Sequence, residues 1–306
     1  MSSDFNNTII SVVVCTYNRA ELLSKCLHSL TKQTLDLSVF EVIVVDNNST
    51  DTTIDVARQY AKNNHNFRVV SEFIQGHSHA RNRGWLEAQG SYIAYLDDDA
   101  KATPDWCERI LNAFNSVNPR PVAVGGQIHP FYEISPPEWF TDDFEIRTWG
   151  DTACFLEPPR ACHGFSGSNM AIQRSILERF GGFSSRYGMV QGKLRMGEDA
   201  EFFFRIYDQE PGFWYDPLIK VYHWVPKEKL KVWHRIIRSY NAGQSIAFMQ
   251  GKKSNVIDYL KCFAVIILGL LELLRNMPFS MAGIKREAVK FLEVLSCKLG
   301  FISVRK

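Results

Sequence analysis

The sequence predicts an α/β fold on a parallel, doubly wound sheet, followed by a helical, amphipathic extension. Three observations carry the prediction. Short apolar runs alternate with helical periods through the first hundred residues, the pattern of strand–helix units in a parallel sheet. One of these runs, Ser91–Leu96, stops at three consecutive aspartates, Asp97, Asp98 and Asp99. The charge is also divided: residues 1–225 carry a net −8 and residues 226–306 a net +10, inside a chain whose total is only +2.

The elements follow in order. Ile9–Val14 is a β-branched run, and Leu22, Leu23, Cys26, Leu27 and Leu30 recur at helical spacing between Arg19 and Leu30. Phe40–Val45 is a second apolar run, closed by Asp46-Asn-Asn-Ser-Thr50, a dense turn and N-cap signal. Arg68–Ser71 reads as a short third strand, Gly76–Ala88 as a helix and Tyr92–Leu96 as a fourth strand. Thr103-Pro104 predicts a helix opening with threonine as N-cap and proline in the first turn. Val122–Gly125 reads as a strand.

From Gln127 to His163 the pattern dissolves into a stretch rich in Pro and Trp, including Pro130, Trp139, Trp149, Pro158 and Pro159. Long loops in compact domains are usually functional, and such aromatics either pack a loop down or stack on sugar rings. Order returns at Phe165–Met170, with helices predicted at Arg174–Phe180 and Glu198–Tyr207 and a last strand at Ile219–His223. Glu198 and Asp199 at a helix start also satisfy the backbone dipole, whatever else they do.

We place a domain boundary between 225 and 226. Beyond it, Leu230, Trp233, Ile237 and Tyr240 fall on one face of a predicted helix from Lys227 to Tyr240, with Lys227, Lys231, Arg235 and Arg238 off that face. Basic amphipathic helices suit a membrane surface. Cys262–Leu271 is apolar but half the length of a membrane span, which needs ~20 residues. Ala288, Phe291, Leu292, Leu295 and Leu299 form a third amphipathic stretch, and a helical subdomain packed on the body has the same pattern.

At 306 residues the chain suits one large domain with an appendage. Its seven cysteines form no Cys-x-x-Cys pair, which favours a reducing compartment. The polar first eight residues lack a signal-peptide pattern, so a cytoplasmic location is expected, peripheral to the membrane if the tail lies on it. The tail's Lys and Arg are interleaved with aliphatic runs, which suits lipid rather than nucleic acid.

Three aspartates at a strand end repel one another unless a cation or ligand offsets them, although a solvated turn capping the next helix would also read this way. Open α/β sheets bind ligands beyond the carboxyl ends of their strands. One crevice there would collect Thr16-Tyr-Asn-Arg19, Asp46-Asn-Asn-Ser49 (with Asn48), Arg81-Asn82 and Asp97–Asp99. Together these offer an aromatic ring, amides and carboxylates for a base and ribose, guanidinium groups for phosphate, and ligands for Mg²⁺ or Mn²⁺.

The ordered set Val-Val-Cys-Thr-Tyr-Asn-Arg, Val-Val-Asp-Asn-Asn-Ser, Ala-Arg-Asn-Arg-Gly, Leu-Asp-Asp-Asp, Gly-Ser-Asn-Met and Gly-Glu-Asp resembles family 2 glycosyltransferases over residues 8–225. The resemblance implies the GT-A fold, a Rossmann-like, doubly wound mixed sheet. It implies inverting sugar transfer from a nucleotide-diphosphate donor, a UDP-sugar for preference, with a divalent metal. Thr16, Tyr17, Asn18, Arg19 and Asp46 match positions that hold the nucleotide, and Arg81 a basic position near the donor. Asp99 matches a metal ligand, while Asp97 and Asp98 compete for ribose and water-mediated contacts. His223 matches a histidine that completes the metal shell in some relatives, and a buried structural histidine is the other reading. Asp199 matches the general base and Glu198 an acceptor-positioning acid, with the reverse assignment open. Gly167, Ser168 and Asn169 would line the acceptor side.

Two departures stand out. Cys15 replaces a proline common in relatives, and the Gln-x-x-Arg-Trp motif of processive synthases is missing, which favours single addition. A glycan or lipid-linked glycan acceptor used in surface-polysaccharide or glycolipid assembly fits a membrane-directed tail. A non-catalytic nucleotide-sugar or glycan binder on the same fold is the competing reading. Nucleotidyl transfer is disfavoured because no Gly-rich basic loop follows the first strand.

Overall fold

The computed structural model describes residues 8–157, 164–187, 197–249, 267 and 280–304. Its elements run β1 (Ile10–Thr16), α1 (Ala20–Leu30), β2 (Phe40–Asp46), α2 (Thr53–Asn63), β3 (Phe67–Ser71), α3 (His77–Glu87), β4 (Tyr92–Tyr95), β5 (Ala100–Ala102) and α4 (Trp106–Ser116). Then come β6 (Ala123–Tyr132), β7 (Cys154–Phe155), β8 (Met170–Gln173), α5 (Arg174–Phe180), α6 (Glu198–Ile206), β9 (Phe213–Val225), α7 (Val232–Met249) and α8 (Met281–Ser303).

Among the described residues nine strands form one sheet, ordered β3-β2-β1-β4-β8-β6-β9-β5, with β7 also paired to β9. β3, β2, β1 and β4 are parallel, whereas β8 runs antiparallel to both β4 and β6, and β5 and β7 antiparallel to β9. The sheet is therefore mixed. The parallel strand–helix units expected of the first hundred residues form its β3-β2-β1-β4 half, and the mixed character is the one the family resemblance implies.

Strand alternation sends successive side chains to opposite faces. Val12, Val14, Val42 and Val44 join α1, α2 and α4 in one apolar layer, which includes Leu23, Leu27, Ala57, Trp106, Ile110 and Phe114. Val13, Ile43 and Val45 face the other way, onto Ala80 of α3, Ile176 and Leu177 of α5, and Phe202, Phe203 and Ile206 of α6. Each fully buried aliphatic side chain contributes about 1.5–3 kcal/mol. Gly84 lets α3 lie close to β1, because a Cβ there would collide with the Val13 side chain.

Several elements differ from expectation. β5 follows Asp99 at once and ends before Thr103-Pro104, and α4 starts at Trp106 with Asp105 as its N-cap, just beyond the expected opening. β6 continues to Tyr132 through the predicted irregular stretch, and Pro130 does not break it. β9 spans Phe213–Val225, far longer than Ile219–His223, and β8 precedes the expected helix at Arg174. Pro158, Pro159 and the end of the Gln127–His163 loop lie outside the described residues, as does Cys262–Leu271 except for Ile267.

The described residues fall into two compact units. One holds the chain through Phe131, the part from Glu145 and Glu198–Trp224; the other holds Tyr132–Phe144 and the chain from Val225. Within the second, Trp139 and Phe140 pack with Val225, Leu230 and Val289, so Trp139 packs its loop down. Lys227–Leu230 is a 3-10 turn, and the α-helix begins only at Val232. The packed face is not the one the spacing indicated. Trp233 is 70% exposed while Arg235 is buried beside Glu293, 2.7 Å away. Small residues set the helix contact: a Cβ on Gly243 would strike the Cys297 carbonyl, and one on Gly300 the Tyr240 carbonyl. No helix among the described residues is long and apolar enough to cross a membrane.

Candidate active site

Parallel pairing brings the carboxyl ends of β1, β2 and β4 together. Thr16 stands opposite Asp46, and Val13 opposite Tyr95, so the loops after all three strands open on one edge. The chain then reverses into β5, whose Ala100 pairs with His223 of β9, while the Trp224 N–H donates to the Asp99 carbonyl at 2.8 Å. That register delivers His223 to the aspartates. Its Nε2 lies 3.2 Å from Asp99 and 3.8 Å from Asp97, and its Nδ1 is 3.0 Å from the Trp224 carbonyl. A proton on Nδ1 donated to that carbonyl leaves the Nε2 lone pair facing the carboxylates.

One ligand atom from each of Asp97, Asp99 and His223 falls within 4.8 Å of the others. Two carboxylate oxygens and an imidazole nitrogen suit Mn²⁺ or Mg²⁺. The residues present thus fit a divalent cation, and Asp97 belongs to the same cluster as Asp99.

Asp98 turns elsewhere. It accepts from Thr16 Oγ1 at 2.8 Å and from Arg19 Nη1 at 3.0 Å, and Arg19 also reaches Asp99 at 2.9 Å. Burial pushes Asp98 up to about 6 against the pull of Arg19. Arg19, expected with the nucleotide, is here tied to the acidic cluster.

On the nucleotide side, Tyr17 is exposed, and Asn18 (φ 51°) and Asn48 (φ 66°) adopt left-handed turns. The Thr50 N–H donates to Asn18 Oδ1 at 2.7 Å, linking the two loops. Asp46 is buried; its Oδ2 accepts from the Ser49 N–H at 3.3 Å, and its Oδ1 has no partner among the described residues. A buried carboxylate oxygen without a donor is costly, and a ligand N–H or O–H would satisfy it.

Glu198 and Asp199 meet side chains of α3. Arg81, 3% exposed, donates from Nη1 to Asp199 and to Glu198 (3.2 Å), and its Nη2 is 3.5 Å from Asp97. Four residues earlier, His77 Nδ1 is 2.9 Å from Glu198 Oε1 and its Nε2 3.8 Å from Asp97. The Gly167 N–H donates to Asp199 at 2.8 Å, and Ser168 Oγ donates to Asp97. A Cβ on Gly167 would run into the Arg81 guanidinium and displace it from its present contacts. Asn169, expected on the acceptor side, is instead 1% exposed. It receives the Trp106 indole N–H and donates to the Gln127 and Ile219 carbonyls, bracing the strands.

The acids at this end diverge. Burial would raise Glu198, yet the His77 hydrogen bond and the Arg81 charge bring it down to about 2. Asp199 goes up: burial is the largest cause, and the Glu198 charge adds to it against Arg81. Asp97 is held well below the ordinary range by Arg81, His77 and His223, in spite of its burial. Two carboxylates with opposed shifts are the pattern of distinct acid–base roles. Of these groups, sequence reasoning missed His77. Its position four residues before Arg81, on one helix face, was the available signal.

This mixed sheet with an acidic, His-bearing edge is the GT-A architecture. The structure superposes on the mannosyltransferase PcManGT from Pyrobaculum calidifontis, solved with GDP-Man and Mn²⁺, with a TM-score of 0.63, 19% identity and coverage of 93% of this chain and 85% of that one. It is likewise similar to residues 1–349 of S. aureus TarS in complex with UDP (TM-score 0.57, 16% identity, 94% and 90% covered). In sequence it is 30% identical over 209 residues to the glucosyl-dolichyl phosphate glucuronosyltransferase of Haloferax volcanii, covering 65% of this chain and 64% of the relative. The chain thus matches less than two thirds of that relative's length. A family model described as glycosyl transferase family 2 matches residues 11–181, more than half of the sequence, and the chain belongs to that family.

Proposed function

We propose that the protein is an inverting glycosyltransferase that moves a sugar from a nucleoside-diphosphate donor, a UDP-sugar for preference, to a hydroxyl of a glycan or lipid-linked glycan. The observation that carries this reading is the adjacency of two groups: the Asp97–Asp99–His223 cluster and the Glu198–Asp199 pair, joined through Arg81. The Oδ1 of Asp46, which has no partner among the described residues, supports nucleotide binding, since a base or ribose donor would pair it.

In the reaction the acceptor oxygen bonds to the anomeric carbon as the carbon–oxygen bond to the diphosphate breaks, and the diphosphate leaves with that electron pair. Asp199, with its raised affinity for a proton, takes the acceptor's hydroxyl proton, and Glu198, held ionised, orients the acceptor. A divalent cation held by Asp97, Asp99 and His223 would supply positive charge against the leaving diphosphate.

The Haloferax relative is named for a dolichyl-phosphate-linked acceptor, which supports a lipid-linked acceptor here and a role in surface-polysaccharide or glycolipid assembly. The basic residues 226–306, with exposed Trp233, Ile237, Phe248, Met281 and Leu299, support docking on the cytoplasmic face of an anionic membrane.

Calorimetric titration with UDP, GDP and dTDP, each with and without Mn²⁺, tests the core of this reading. Metal-dependent binding of one nucleotide, lost in Asp99→Ala, is expected. Failure of all three to bind would overturn it in favour of a different ligand on the same fold.

A further inference from the structure

Helix α3 presents two nitrogenous side chains one turn apart to the same acids. Arg81 divides its contacts among Asp97, Glu198 and Asp199, while His77 makes its one short contact, 2.9 Å from Nδ1, with Glu198 Oε1. Both side-chain bonds to Glu198 fall on Oε1, and among the described residues no other side chain donates to Oε2. Asp199 differs, because Arg81 occupies its Oδ1 and the Gly167 N–H its Oδ2. Among the described residues Glu198 is therefore the acid of the pair with an oxygen that takes no donor from another residue's side chain or from Gly167. His77 is the neighbour that fixes where that oxygen points, since the Arg81 nitrogen that reaches Glu198 is shared with Asp199.

We propose that His77 is a positioning residue: its Nδ1–H locks Glu198 so that Oε2 receives a hydroxyl of the acceptor beside the base. This rests on the glycosyltransferase reading and assigns within it the group that orients the acceptor side. An ionised Glu198 can only accept, so the bonded imidazole nitrogen must be the donor, and the proton sits on Nδ1. The Nε2 edge, 3.8 Å from Asp97, is beyond hydrogen-bond reach and makes the weaker contact.

Two measurements test the assignment. In ¹⁵N-labelled protein, imidazole coupling patterns, with the His77 signal identified by its loss in His77→Asn, should show Nδ1 protonated. Glu198→Ala should release it toward the Nε2–H form. A bare Nδ1 in the unmodified protein would overturn the proposal. The second measurement uses two acceptor probes, octyl glucoside and farnesyl-phosphoglucose, against hydrolysis of the same donor by water alone. His77→Leu should raise the acceptor KM or lower transfer by about tenfold or more, a larger loss than it causes in donor KM, hydrolysis or Mn²⁺–nucleotide binding. His77→Asn, which can donate from nearly the same place, should recover most of the loss. Equal losses in both variants, or a donor-side loss as large as the acceptor-side one, would overturn it. A protein that binds nucleotide but glycosylates neither probe would count against the proposed function, and the tautomer would still decide the role of His77.

Discussion

Arg81 and Asp199 form an ion pair in which the guanidinium is 3% exposed, so the helix α3 charge that holds the proposed base is almost wholly withdrawn from water. Removing one partner of such a pair leaves the other charge buried and uncompensated. Arg81→Leu is expected to lower unfolding stability by about 3–5 kcal/mol, read by urea denaturation. Arg81→Lys should recover part of the stability but little activity, since one ammonium cannot serve three carboxylates from two nitrogens.

Asp99 meets both Arg19 and His223. Asp99→Asn keeps the shape and removes a charged ligand. Mn²⁺ affinity, followed by calorimetry with nucleotide present, should fall by at least about tenfold, equivalent to ~1.4 kcal/mol. Unchanged affinity would move the cation elsewhere.

The pH dependence of transfer follows from Asp199. A base works ionised, so activity should fall as pH drops through its pKa, and because that pKa is raised the acid limb should lie above the ordinary aspartate range. The Glu198 charge is one of the causes of the raise, so Glu198→Gln should move the limb to lower pH while reducing the maximal rate. The log of kcat/KM against pH for both proteins checks the sign.

Asp46 offers a test that separates binding from folding. Its buried Oδ1 has no donor among the described residues, so Asp46→Asn should leave the denaturation midpoint unchanged or raised. Nucleotide affinity should weaken by about tenfold or more in the same variant, since a hydrogen bond to a charged group is worth about 1.5–3 kcal/mol.

Gly84→Ala should destabilise the protein by about 1–3 kcal/mol, because the new methyl meets the Val13 side chain in a packed layer. Val13→Ala in the same chain should recover part of the loss, which thermal unfolding of the three variants would show.

The legible parts of the sequence were those where local pattern and burial agree. β1 and β2 are buried on both faces and read as continuous apolar runs, and α1 and α6 carry their core residues at helical spacing. β5, with the sequence Ala-Lys-Ala, has no pattern of its own and is a strand only because β9 lies beside it. In the tail, large apolar residues marked a face, yet α7 and α8 use glycines and a paired arginine for contact, which hydrophobic spacing does not detect. The loops after β1, β2 and β4 could be grouped from sequence because the residues of each are contiguous and parallel pairing brings them to one edge. Asn169 was misplaced because a buried amide and a ligand-binding amide look alike in sequence.

The pairing of Ala100 with His223 has a consequence for synthesis and assembly. The acids at 97 and 99 emerge early, but the imidazole that completes their cluster arrives only with a strand more than a hundred residues later. Contacts so distant along the chain form slowly. A nascent or half-folded molecule therefore has carboxylates without their third partner, and competence to hold the cation becomes a report that the last strand of the sheet has docked in register.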